Sequence, residues 1–232
     1  MKARHIHLVV AVIASCVFAG ACHRQRAAKM SQQGEVDSCS TNSEYFPPVE
    51  RMGAISGFPF GQDQITWESD FLRRMHEPSL FSCGNQQEAT YRFLWDRSMS
   101  SPIAARMVVH SAGTGTLFVR MLANAGIPPP PEKGEKTVSA DEWYKLTLER
   151  EIPLTQWQVS HAVALYQKMP FRDETNKGMT TDGSDWIFES KINGAYRLVD
   201  FRNCNNQAAT DFGKYPVIGL GGIKIPSGGV YY

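Results

Sequence analysis

The stretch DWIFESKINGAYRLVDF, residues 185–201, constrains the fold more than any other part of the chain. Two alternating runs flank Asn193-Gly194. A two-residue type I′ connection needs positive φ at both central positions, which Asn and Gly tolerate, so the segment reads as a β-hairpin. Trp186, Phe188 and Ile192 then share one face, and that face must be covered. A lone hairpin is marginal in water, so the rest of the chain has to supply more strands and a layer to pack on them.

Those strands are legible. Residues 91–95 (YRFLW) alternate and are aromatic. Residues 103–110 and 116–122 (TLFVRML) form two more strands, joined by the loop SAGTG at 111–115. Residues 143–151 carry two signals. Ser139 and Glu142 resemble a capping box, which argues helix. Tyr144, Leu146 and Leu148 alternate with Lys145, Thr147 and Glu149, which argues strand, and the strand is preferred because a better helix start follows. In LTQWQV, Thr155 and Gln158 make a capping box, with Leu154 and Val159 at the staple positions. That helix runs to about Lys168 with Trp157, His161 or Ala162, and Leu165 inward. An earlier helix is predicted over 65–78. Trp67, Phe71 and Met75 recur at i, i+4 and i+8, Glu68, Arg73 and Arg74 face elsewhere, and Pro78 stops it. Residues 128–131 are all proline and read as loop. The glycine-rich tail reads as loops around a short IKI segment. The expected fold is α+β: an antiparallel sheet of about five or six strands with helices packed on one face.

The N-terminus sets the compartment. Lys2 and Arg4 precede an unbroken apolar run over residues 8–18, and Ala19-Gly20-Ala21 supplies small residues before Cys22, so residues 1–21 read as a signal peptide. The run is too short for a membrane span, which needs about 20 apolar residues. Cys22 sits where a bacterial lipobox places its acylated cysteine, although Ala19 stands where Leu is usual. Cys22 is therefore the expected lipidation site, and the membrane is a partner through that anchor, because each buried methylene contributes about 0.8 kcal/mol. His23 is not the Asp that retains lipoproteins at the inner membrane, so the expected destination is the outer membrane, facing the periplasm. The alternative is a soluble periplasmic protein. Residues 22–61, rich in Gln, Ser, Gly and Pro, read as tether and irregular entry, and 62–232 as one globular domain.

Composition then excludes partners. Without residues 1–21 the chain keeps 22 of its 24 basic residues against all 23 acidic ones. That balance gives no basic surplus for nucleic acid. Of the five cysteines, Cys16 leaves with the signal and Cys22 carries lipid, so Cys39, Cys83 and Cys204 are the disulfide candidates in an oxidising compartment, with one bridge expected, through Cys204. No Cys-x-x-Cys occurs.

The segments YRFLWDRSMSSPIAARM and DGSDWIFESKINGAYRLVDFRNC, with HEPSLF and a C-terminal VYY, resemble a broad group of uncharacterised bacterial secreted and lipoprotein-type proteins. The shared pattern is a YRFLW strand, then Asp-Gly-x-x-Trp-x-x-Glu and a return strand bearing tyrosine. The resemblance spans roughly residues 67–232 and implies no activity. The chain departs from the pattern at Asn203-Cys204-Asn205, where a proline-containing turn would stand. A disulfide to Cys204 would replace that rigidity.

Catalytic signatures are absent. No His-Glu-x-x-His, P-loop or Gly-x-Ser-x-Gly motif occurs, and of the four histidines beyond residue 21, His23, His76, His110 and His161, none stands at metal spacing to another, so no metal or cofactor is expected. His76 reads as a helix-end cap and His161 as a packed core histidine. Asp182-Gly183-Ser184-Asp185 offers too few oxygens for a calcium loop and reads as a turn. Glu189 and Arg197, near mirror positions about the hairpin turn, read as a cross-strand ion pair. The strand with Tyr91, Arg92, Trp95 and Arg97 mixes aromatic and charged side chains and is the candidate contact surface. The functional expectation is a non-catalytic envelope lipoprotein that binds another envelope protein, as an inhibitor, immunity factor or assembly component. The alternative is a periplasmic hydrolase of cell-wall material using carboxylates around Asp182, Asp185 and Glu189.

Overall fold

The computed structural model describes residues 44–48, 62–83, 88–97, 100–126, 128–134, 136–171, 183–202, 204 and 206–225. All fall in the unit Glu35–Tyr232, and residues 1–21, read above as a signal peptide, and Cys22 lie outside the described residues. In chain order the elements are α1 (Gln62–Arg74), β1 (Ala89–Arg97), β2 (Ser100–Val109), β3 (Gly115–Leu122), the single turn α2 (Ala140–Trp143), β4 (Leu146–Leu154), α3 (Gln156–Gln167), β5 (Ser184–Ile192), β6 (Ala195–Arg202), α4 (Gln207–Lys214) and a π-helical turn (Tyr215–Leu220). The strands form one antiparallel sheet in the order β4-β3-β2-β1-β5-β6. The α+β expectation is met with six strands. Among the described residues no helix is long and apolar enough to cross a membrane.

Local chemistry explains the elements. Asn193 and Gly194 have φ of 50° and 78° and close a two-residue turn between β5 and β6. Both signals around residue 143 are realised in succession. The Ser139 hydroxyl accepts from the Glu142 N–H and starts the turn α2, and the alternating pattern then becomes β4. Thr155 and Gln158 form the reciprocal capping box of α3. Strand β4 lies at a sheet edge, where Pro153 is tolerated and Glu149, Arg150 and Glu151 discourage further pairing.

Side chains of opposite parity build two cores. On one face Tyr91, Phe93, Trp95, Trp186, Phe188 and Phe201 pack beneath Val159, Ala162 and Tyr166 of α3 and Phe212 of α4. Phe93 and Phe188 are register partners, and their rings stack at 4.7 Å and 11°. Tyr166 donates to the buried Ser190 hydroxyl at 2.6 Å, which fixes α3 on β5. Helix α4, capped by Asn206, was not foreseen. It lies close because residue 213 is glycine: a Cβ there would meet Trp186 Cζ3 at 2.7 Å.

On the other face Leu94, Ala104, Ile187 and Leu198 pack under Phe71, Leu72 and Met75 of α1, with Tyr45 and Phe46. Two expectations are corrected here. The helices do not all sit on one face, because α1 covers the second. Nor does the packed domain begin at residue 62: in the stretch read as tether and irregular entry, Tyr45 and Phe46 are buried, and the Tyr45 hydroxyl donates to the Glu77 carbonyl at 2.8 Å. An aromatic pair has too much apolar area to stay in solvent when a sheet face lies open.

Candidate functional site

The face under α1 carries buried charge, and its two ends are built differently. At the C-terminal end α1 closes in a Schellman motif. The Glu77 N–H reaches the Leu72 carbonyl at 2.9 Å, and the His76 N–H reaches that of Arg73 at 3.0 Å. His76 takes the left-handed position, φ 55°, so its backbone and not its imidazole does the capping. The motif turns Glu77 into the sheet. Its carboxylate accepts from Arg106 Nε at 2.7 Å and Arg120 at 2.8 Å, with Arg92 3.9 Å away. Burial alone would raise this carboxyl, but Arg106, Arg92 and Arg120 outweigh it and hold it below the usual range. Beside it Arg92 Nε donates to Glu189 at 2.6 Å, and the Tyr196 hydroxyl donates to the other Glu189 oxygen at 2.8 Å.

This network overturns two expectations. Arg92 is fully buried and Tyr91 and Trp95 nearly so, while Arg97 is half-buried and donates to the Ser101 carbonyl. The mixed strand is interior and not a contact surface: its aromatics feed one core while Arg92 is neutralised in the other. Glu189 pairs with Arg92 rather than Arg197. The register sets Glu189 opposite Leu198, and the exposed Arg197 lies over the Phe171 ring.

At the N-terminal end of α1 the charges that act most strongly on the buried acid are carboxylates. Glu68 lies at i of the stripe Phe71, Leu72, Met75 (i+3, i+4, i+7), so it points inward and is fully buried, contrary to the expectation that it faces elsewhere. Asp96 of β1 and Asp185 of β5 are register partners and half-buried. One oxygen each of Glu68, Asp96 and Asp185 lies within 4.8 Å of the other two, and these are the residues among those described that could hold a cation. Gln64 Nε2 donates to Glu68 Oε1 at 3.0 Å and to Asp185 Oδ2 at 3.3 Å, while Glu68 Oε2 has no hydrogen-bond partner among the described residues. Burial, and then Asp200, Asp185 and Asp96, push the Glu68 carboxyl well above its usual value. Burial and Asp185 push Asp96 up to about 7, against a hydrogen bond from Trp67. Asp182 lies outside the described residues.

A third feature is on the surface. Trp157, expected inward, is 70% exposed, because Val159, Ala162 and Tyr166 take the buried side of α3. His161, expected in the core, is exposed and stacks on Trp157 at 5.3 Å and 5°, with Tyr215 edge-on to it at 4.8 Å. The expected bridge through Cys204 is not formed. Cys204 is a thiol near the Asn206 carbonyl and the Thr210 hydroxyl. Cys83 is disulfide-bonded, to a partner outside the described residues. Cys39 also lies outside them. No family model, no curated protein and no solved structure matches the chain.

Proposed function

We propose that the chain is an envelope lipoprotein, anchored through Cys22, that works by binding another envelope protein through the outer face of α3. The observation that carries the reading is Trp157. It is the large hydrophobic side chain left exposed among the described residues, and it is held flat against His161 rather than free to rotate. The helix QWQVSHAVALYQ contains no Asp, Glu, Lys or Arg. Interface centres are depleted of charge and enriched in tryptophan and tyrosine, as this face is. The partner is therefore a protein offering an apolar socket for an indole. Location supports the reading only through the sequence: the signal, the small residues before Cys22, and His23 after it point to the outer membrane, with a soluble periplasmic form as the alternative.

Crosslinking and pull-down from the envelope with the full chain test this, using Trp157→Ala and His161→Ala. Both side chains are exposed, so melting should hold while a specific partner is lost. An unchanged set of captured proteins would refute the contact face. Labelling with a palmitate analogue should mark the wild type and not Cys22→Ala. The hydrolase alternative now rests on Asp96 and Asp185, a raised carboxyl beside a second one, since Glu189 is consumed by Arg92 and Tyr196. Cleavage of peptidoglycan by the purified chain, abolished in Asp96→Asn, would replace the binding reading.

A further inference from the structure

We propose that Glu68, Asp96 and Asp185 form a binding site for a divalent cation of the calcium class. The site is independent of the α3 contact face, since it lies under α1 on the opposite side of the sheet. The argument begins with how this chain treats its other buried acids. Glu77 has Arg106 and Arg120 in contact, and Glu189 has Arg92 and Tyr196. Glu68 is equally buried, yet the charges acting on it most strongly are three carboxylates, those of Asp200, Asp185 and Asp96. Its neutral neighbour Gln64 supplies one hydrogen bond, to Oε1, and Oε2 is left in the interior without a donor among the described residues. An isolated buried carboxylate oxygen is costly unless paired or bound to a metal.

The geometry of the three oxygens favours a cation from outside. Asp96 and Asp185 face each other across β1 and β5, a placement in which like charges repel. Glu68 descends on the pair from α1. Gln64 and Trp67, two further residues of α1, hold Asp185 and Asp96 by hydrogen bonds, so each acid arrives oriented. Oxygens at the corners of a triangle with edges up to 4.8 Å lie at most about 2.8 Å from its centre (the edge over √3), a limit that encloses the 2.3–2.6 Å of calcium–oxygen bonds, and calcium accepts an irregular, partly hydrated oxygen set where magnesium demands a near-ideal octahedron. Oxygen donors without nitrogen or sulfur select hard cations. Asp96 and Asp185 are half-buried, which leaves a solvent side for entry and for the water ligands that complete the coordination.

The test is a calcium titration of the chelator-stripped full chain at pH about 8, since carboxylates bind metal in their deprotonated form. Melting temperature and tryptophan fluorescence are read together, because Trp67 is bonded to Asp96 and reports locally. The expected result is a saturable rise of several degrees by about 1 mM calcium, with a much smaller rise from magnesium at the same concentration. Trp67→Phe removes both the reporter and the hydrogen bond that orients Asp96, so it should reduce the fluorescence change and weaken the melting shift. Glu68→Gln should abolish the calcium shift while melting, without calcium, at or above the wild type, since it replaces a buried acid crowded by carboxylates with a neutral amide. Asp185→Asn, at the more exposed acid, should abolish the shift too, and serves if Glu68→Gln fails to fold. The proposal is overturned if the wild type does not respond to calcium, or if Asp185→Asn or a folded Glu68→Gln responds as the wild type does. An equal response to magnesium would overturn the calcium assignment.

Discussion

Replacing Arg92 by leucine should destabilise the domain severely, and the size of the effect follows from what it leaves behind. The guanidinium is fully buried. It donates to Glu189 at 2.6 Å and to the Pro78 carbonyl at 2.6 Å, and it stands 3.9 Å from Glu77. Glu77 would keep Arg106 and Arg120. Glu189 would keep only the Tyr196 hydroxyl, and a buried carboxylate stripped of its cation costs about 3–5 kcal/mol. Glu189→Met should cost about as much for the mirror reason. The double variant Arg92→Leu/Glu189→Met removes both charges and leaves the Pro78 carbonyl and the Tyr196 hydroxyl short of a partner, about 1 kcal/mol each. It should therefore lie well below the sum of the singles, by at least about 2 kcal/mol. Urea unfolding of the full-length variants, followed by circular dichroism with the midpoint compared at constant slope, reads all four corners of the cycle. A stability loss under about 1 kcal/mol in Arg92→Leu, or strict additivity in the double variant, would refute the buried pair and return Arg92 to the surface.

Other substitutions probe other joints. Gly213→Ala should destabilise by about 1–3 kcal/mol in the same unfolding assay, because the new methyl meets Trp186 at 2.7 Å and Phe93 at 3.0 Å. Gly194→Val has open space around it yet sits at φ 78°, so it should lower the melting temperature by far more than Ala195→Val in the adjacent exposed strand position. His76→Gly should stabilise by roughly 0.5–1 kcal/mol in thermal melts, since it relieves a left-handed residue at the end of α1 whose ring is exposed. The Asp96 carboxyl, raised to about 7, holds a proton in the native state that the unfolded chain has lost above pH about 4, so metal-free stability should fall, by a few kcal/mol at most, as pH rises from about 4 to about 7, and Asp96→Asn should flatten that slope in urea melts across the range.

The sheet was legible because each of its signals is local. Asn193-Gly194 sets its own turn, and the Thr155–Gln158 box closes on itself within one helical turn. The errors came where a side chain's fate depends on what arrives from elsewhere in the chain. Tyr91, Arg92 and Trp95 alternate as a half-exposed strand would, but β1 is central, and α1 and α3 cover both its faces. Only the fold reveals that the charge on the second face is internal. Helix α4 is short, and the glycine that lets it approach Trp186 looks from the sequence like a breaker. The acidic cluster was one step from legible. Anchoring the helical stripe on Trp67 sends Glu68 outward. Anchoring it on Leu72 makes Gln64, Glu68, Phe71 and Met75 one inward face, with an acid at a core position and an amide one turn earlier. A charged residue at an apolar position of an amphipathic helix requires a counter-charge, and no nearby residue of α1 supplies one toward the sheet. What the sequence could not give is that the hairpin register brings Asp185 beside Asp96 at the spot where Glu68 descends. The pairing compounds the charge instead of neutralising it, and this sets the end of the face at Glu68 apart from the end at Glu77, where three arginines converge.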